Sequence, residues 1–224
     1  MEGFIVDSQY HVEPEGAVVY LYGRLKNGDS FLAKTQYNPY FYIKTEDLEH
    51  AKEIEQFKFE ETTLKTFEKD PVTKIILTIP RNVASMRDTF LDAGIACYEA
   101  DIPFTSRFLI DHKINGSLKI EGEWQKGERV DRLYQEPNLQ PSSWNPNTKD
   151  LKTMSIDIET ASDHSSLYCI SATVQGKDPK TFVVKKETDA AFTGSINEVL
   201  ETFSTYVEEE DPDIITGWNV IDFD

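Results

Sequence analysis

The 224-residue chain carries 23 Lys and Arg against 40 Asp and Glu, a formal net charge of −17, with 39% hydrophobic and 12% aromatic residues. That is material for a packed core and excludes disorder, while the uncharged apolar runs, such as residues 75–79, are too short to span a membrane. An acidic N-terminus with no long apolar stretch excludes a signal peptide, and Cys97 and Cys169 are too few for a disulfide framework, so a soluble, cytoplasmic protein is expected.

Residues 3–12, 17–25, 30–37 and 40–44 are rich in β-branched and aromatic residues and read as strands, with Asn27-Gly28 as a hairpin signal. Thr45 is placed to cap a helix running to about Phe57, with Glu46 and Asp47 in its first turn. Residues 74–79 read as a strand ended by Pro80. A helix is predicted over 83–93, with Val83, Met86, Phe90 and Leu91 on one face and Gly94 as its stop. Residues 95–100 and 117–124 are further predicted strands, which makes the first part an α+β domain. Residues 137–150 are dense in Pro, Asn and Ser, a composition that disfavours helix and strand, so the domain boundary is placed there: 1–150 and 151–224.

The second part has another rhythm. Strands are predicted over 151–159, 167–174 and 181–186. Ile196, Val199, Leu200, Phe203 and Val207 fall at helical spacing, Asp211-Pro212-Asp213 ends that helix, and 214–218 reads as a fourth strand. Three strands, a helix and a strand open a ribonuclease-H-like α/β layer, and the sequence stops at residues 221–224, where the next helix should begin.

Within the first of these strands, alternation puts Ile156 and Ile158 on one face and Asp157 and Glu159 together on the other. Two carboxylates one strand step apart suit a hard divalent cation, Mg²⁺ or Mn²⁺. In so acidic a chain such pairs also arise by chance, and alone the pair reads first as solvated acids at a strand end. The second element strengthens the metal reading. After the helix, a strand lying beside the first would bring Asp224 near Asp157 and Glu159. The four histidines are scattered, and His164 lies in a polar loop five residues after Glu159. Glu208-Glu209-Glu210-Asp211 reads as a solvated helix end, of unfavourable sign for a helix C-terminus. Cys97 and Cys169 sit on strand patterns and read as buried thiols.

SIDIET at 155–160 resembles the first exonuclease motif of family B DNA polymerases, and DPDIITGWNVIDFD at 211–224 resembles the second. Residues 98–104 with 107–111 are similar to the signature preceding the exonuclease domain in that family. Asn38-Pro39-Tyr40-Phe41-Tyr42 is similar to its early N-terminal strand. The GWNV form and the strand around Leu167-Tyr168-Cys169-Ile170 resemble the bacterial DNA polymerase II branch more than the archaeal replicative one.

The resemblance implies a DNA polymerase with 3′→5′ proofreading, in which Asp157, Glu159 and Asp224 hold two metal ions for hydrolysis at the primer 3′ end. It places Thr160, Asn219 and Phe223 at contacts to the frayed single strand. Thr160 as a plain strand end and Phe223 as a core residue are the alternatives. Archaeal relatives carry a template-uracil pocket in the N-terminal domain, and Pro39, Tyr40, Val83, Ile102 and Phe104 fall at similar positions, which also suit ordinary core and turn residues. The third exonuclease motif and the polymerase domains lie outside the sequence. The chain is therefore expected to be an inactive fragment, with any processivity partner bound through the absent C-terminal part. Two other readings fit the same residues: an acidic α/β module that binds a protein partner or single-stranded template, and a free-standing ribonuclease-H-like nuclease.

Overall fold

Apolar and β-branched residues broken by Gly, Asn and Pro make strands the default over the opening of the chain. In the computed structural model, which describes residues 1–147, 149–184, 192–218 and 220, they form β1 (Glu2–Glu13), β2 (Gly16–Leu25), β3 (Ser30–Gln36) and β4 (Tyr40–Lys44). The chain divides into two units, Met1–Trp144 and Asn145–Asp224.

In the first unit β1, β2 and β3 form an antiparallel meander, extended by β8 (Ser117–Glu121), β9 (Trp124–Gln125), β10 (Arg132–Gln135) and β11 (Asn138–Pro141). The resulting sheet has the order β11-β8-β1-β2-β3-β10-β9, with β10 parallel to β3. A second sheet, β5-β6-β4-β7, contains β5 (Lys58–Lys65), β6 (Pro71–Ile76) and β7 (Cys97–Tyr98). Three helices accompany them: α1 (Leu48–Ile54), α2 (Arg81–Asp92) and α3 (Phe104–Asp111). One core joins Val19, Leu21, Phe31, Leu118, Ile120 and Tyr134 to Phe108 of α3. Another joins Phe41, Ile43 and Ile75 to Ala51 of α1 and Phe90 of α2.

Several expectations are corrected here. Thr45 is not a helix cap. It lies in a 3-10 turn, Thr45–Asp47, and its hydroxyl is 3.0 Å from that of Thr73. The helix that follows ends at Ile54, and β5 was not expected at all. As an edge strand exposed on nearly every residue, it has no apolar alternation to read. The strand expected over 74–79 lies at 71–76, and that over 95–100 shortens to Cys97–Tyr98. The strand over 117–124 breaks at Gly122, whose φ of +150° turns the chain. Pro- and Asn-rich composition does not prevent β11, within 137–150, from pairing with β8. It is the outermost strand, and its proline comes last, where a missing N–H costs little.

The second unit holds β12 (Thr153–Thr160), β13 (Leu167–Val174), β14 (Lys180–Val183), β15 (Phe192–Thr193), α4 (Ile196–Glu210) and β16 (Ile214–Thr216). Sheet order is β15-β14-β13-β12-β16. β12, β13 and β14 are antiparallel neighbours, and β16 lies parallel beside β12, which is the ribonuclease-H-like arrangement. α4 starts at a reciprocal cap. The Ser195 N–H donates to the Glu198 carboxylate at 2.8 Å, and the Ser195 hydroxyl accepts from the Glu198 N–H at 3.4 Å. Met154, Ile156, Ile170, Ala172, Val174 and Phe182 form its core with Val199 and Tyr206. Of the residues at helical spacing, Val199 is buried while Ile196 and Leu200 are exposed (38% and 45%), and Tyr206 is buried as well. No helix among the described residues is long and apolar enough to cross a membrane.

The acidic end of α4 is not simply solvated. Glu210 is 8% exposed and pairs with Lys177 at 2.6 Å, which lowers its pKa, while the Lys152 ammonium donates to the Glu210 carbonyl. Asp211 ends the helix in a left-handed conformation (φ +45°). Two lysines from elsewhere in the unit, Lys152 just before β12 and Lys177 between β13 and β14, thus supply the positive charge that the helix C-terminus lacks in its own sequence.

Candidate functional site

β12 buries one face because every second residue is apolar. Met154 and Ile156 point into the core, and Ser155, Asp157 and Glu159 are exposed on the opposite face. Asp157 stands opposite Ser171 and Glu159 opposite Cys169 on β13. Burial, then the Glu159 and Asp157 charges, raises the Cys169 thiol pKa. On the other side β16 pairs Thr216 with Ser155, two residues short of Asp157. Asp224, Asn219 and Phe223 lie outside the described residues. Among the described residues no group of three or more His, Cys, Asp or Glu could hold a metal ion. Asp157 and Glu159 offer two carboxylates, an all-oxygen donor set of the kind hard divalent cations take.

A bulge separates Glu159 from Thr160, so Thr160 pairs with Leu167. The Thr160 hydroxyl donates to the Ala161 carbonyl at 3.1 Å and lies 3.4 Å from His164 Nδ1. The connection 161–166 is closed by Ala161 N–H donating to Ser166 O and His164 N–H to Ala161 O, both at 2.8 Å. The Ser165 hydroxyl donates to Asp163 at 2.7 Å and holds that carboxyl below its ordinary pKa.

Pro39, Tyr40, Val83, Ile102 and Phe104 line a single cavity of about 310 Å³ in the first unit. Tyr10 and Arg107, which were not anticipated, line it too. Arg107 is 6% exposed. Its guanidinium pairs with Glu99 at 2.7 Å, donates to the Glu99 carbonyl at 3.3 Å and lies 4.8 Å from the Tyr40 ring centre. The Tyr40 hydroxyl donates to Asp111 at 2.6 Å, and the Tyr37 hydroxyl donates to the same carboxylate. Burial, and then the Asp111 carboxylate, pushes both phenols well above their ordinary pKa. Phe104, Arg107, Phe108 and Asp111 recur at three- and four-residue spacing, a helical signal that could have found Arg107 and Asp111.

Residues 95–181, which contain Asp157, Glu159 and Thr160, match the DNA polymerase family B exonuclease domain. Over nearly its whole length the chain is similar to DNA polymerases. It is 27% identical over 234 residues to DNA polymerase II of Escherichia coli (strain K12), a match covering 99% of this chain and 29% of that protein. A DNA polymerase of Archaeoglobus fulgidus is 29% identical over 246 residues, covering all of this chain and 29% of its own length. The chain thus spans under a third of the length of these relatives. The fold is shared with the family B DNA polymerase of Pyrobaculum calidifontis, with a TM-score of 0.79 at 20% identity, covering 100% of this chain and 31% of that one.

Proposed function

We propose that this chain is the N-terminal portion of a DNA-directed DNA polymerase with 3′→5′ proofreading exonuclease activity, of the bacterial DNA polymerase II branch. Residues 1–150 are its N-terminal domain and 151–224 the opening of its exonuclease domain. The observation that carries the reading is the exposed pair Asp157 and Glu159 on the outward face of β12, inside the matched segment and beside β16.

In this reading Asp157 and Glu159, with Asp224, hold Mg²⁺ or Mn²⁺, two ions in the intact enzyme. When bound, the ions supply Lewis-acid chemistry at the terminal phosphodiester. The residues of the chain bind and orient the substrate. Thr160 meets the primer end with its hydroxyl, Asn219 contacts the single strand, and Phe223 stacks on a base, a contact worth ~1–3 kcal/mol. The cavity around Tyr40 takes a template base. The −17 charge favours weak DNA binding by the chain itself, since phosphate contacts dominate such affinity. Primer–template affinity and any processivity partner then belong to the rest of a cytoplasmic enzyme, and the isolated chain is inactive.

The test is Asp157→Ala combined with Glu159→Ala in the full-length enzyme, using a labelled primer with a mismatched 3′ end. Degradation should be abolished while extension is largely kept, because each lost ligand removes several kcal/mol of charge stabilisation. Near wild-type degradation by the double variant would refute the site.

A further inference from the structure

His164 adopts a left-handed backbone conformation (φ +57°), uncommon for a residue with a side chain. Its conformation is held by the loop's own hydrogen bonds, His164 N–H to Ala161 O and Ala161 N–H to Ser166 O. The result turns the imidazole back onto the end of β12, one residue beyond Glu159, with Nδ1 at 3.4 Å from Thr160 Oγ1. A hydroxyl has one proton, and that of Thr160 is given to the Ala161 carbonyl at 3.1 Å. Toward His164 it then presents a lone pair, which the Nδ1–H tautomer of the imidazole satisfies.

We propose that His164 is a positioning residue of the nuclease site, its Nδ1–H fixing the Thr160 hydroxyl as a hydrogen-bond acceptor for the terminal 3′-hydroxyl of the primer. The inference rests on the reading of Asp157, Glu159 and Thr160 given above and adds a specificity to it. A Thr160 oxygen with its proton committed can accept from a sugar hydroxyl, which donates, and has nothing to offer a 3′ end that lacks one. The donor is Nδ1–H, the tautomer that pairs with the Thr160 lone pair.

The experiment compares primers ending in a 3′-hydroxyl with primers ending in a dideoxynucleotide, which removes the donor without adding bulk. KM and kcat for 3′→5′ degradation are measured in the full-length enzyme. The wild type should prefer the hydroxyl end by about 3- to 10-fold in KM, the range for one net hydrogen bond. His164→Ala should lose that preference with kcat little changed. His164→Asn, which keeps a donor near the Nδ1 position and tolerates positive φ, should retain it. His164→Gly relieves the backbone without supplying a donor and should behave as His164→Ala. Restoration by glycine as fully as by asparagine would assign His164 a backbone role only and overturn the proposal. So would an undiminished preference in His164→Ala. The Asp157→Ala, Glu159→Ala double variant runs alongside. If it still degrades primers, the nuclease reading itself fails; if it is inactive, the His164 results judge this inference alone.

Discussion

Gly23 offers the sharpest test of how the first unit is built. It lies on β2 opposite Ile5, beside the bulge between Ile5 and Asp7 of β1. A Cβ at this position would sit 2.0 Å from the Phe4 carbonyl oxygen and 2.6 and 2.7 Å from two ring carbons of Phe31. Carbon contacts are optimal at roughly 3.5–4.0 Å, so Gly23→Ala demands a shift of more than about 1 Å. The nearest obstacle is backbone, and the second is a fully buried ring. Displacing β1 weakens one or two ladder hydrogen bonds, about 0.5–1.5 kcal/mol each. Moving Phe31 adds roughly 1–3 kcal/mol of overpacking. Against this stands the ~0.5–1 kcal/mol by which alanine is favoured over glycine inside a strand. The net expectation is a destabilisation of about 2–4 kcal/mol. Gly28→Ala is the control: nothing lies within 4 Å of its added Cβ, and only the positive φ of +94° opposes it, at about 1 kcal/mol. Amide hydrogen exchange of β2 in the two variants measures the difference and assigns it to this unit. A Gly23→Ala protein within about 0.5 kcal/mol of wild type, or equal to Gly28→Ala, would show that close approach of β1 is not what excludes a side chain.

Two further outcomes are expected. Tyr37, Tyr40 and Tyr42 have phenol pKa values raised chiefly by burial, so the folded state favours the neutral form. Their contribution to stability is fully present below the unfolded value near 10 and is lost as pH rises beyond it; tyrosinate absorbance should rise in two stages, the second coinciding with loss of circular dichroism, and a single stage near pH 10 with the fold intact would contradict the burial argument. Ser195→Ala removes one half of the reciprocal cap of α4 and should cost about 1 kcal/mol, read as faster exchange of the helix's first-turn amides, whereas unchanged exchange would show the cap to be idle.

What could be read from sequence divides along a physical line. β13 was expected over 167–174, the span it occupies, because a strand with one buried face alternates visibly. The same period placed Asp157 and Glu159 together on the solvent side of β12. β5 was illegible because neither of its faces is buried. α3 has only eight residues, and the helical spacing it does show runs through Arg107 and Asp111, charged groups that an apolar pattern does not count. On α4 the helical spacing is borne out and Val199 is buried, while Ile196 and Leu200 are exposed and the helix also buries Tyr206 and Glu210. A glutamate can take a core-facing position there only because Lys177, 33 residues earlier in the chain, neutralises it. Arg107 depends in the same way on Glu99, and Asp111 on Tyr40, 71 residues away. Each of these charged groups looks like surface until its partner from another element or loop is set against it. A pair carried by one strand, such as Asp157 and Glu159, needs no such partner to be oriented, since the backbone of β12 alone points both carboxylates the same way.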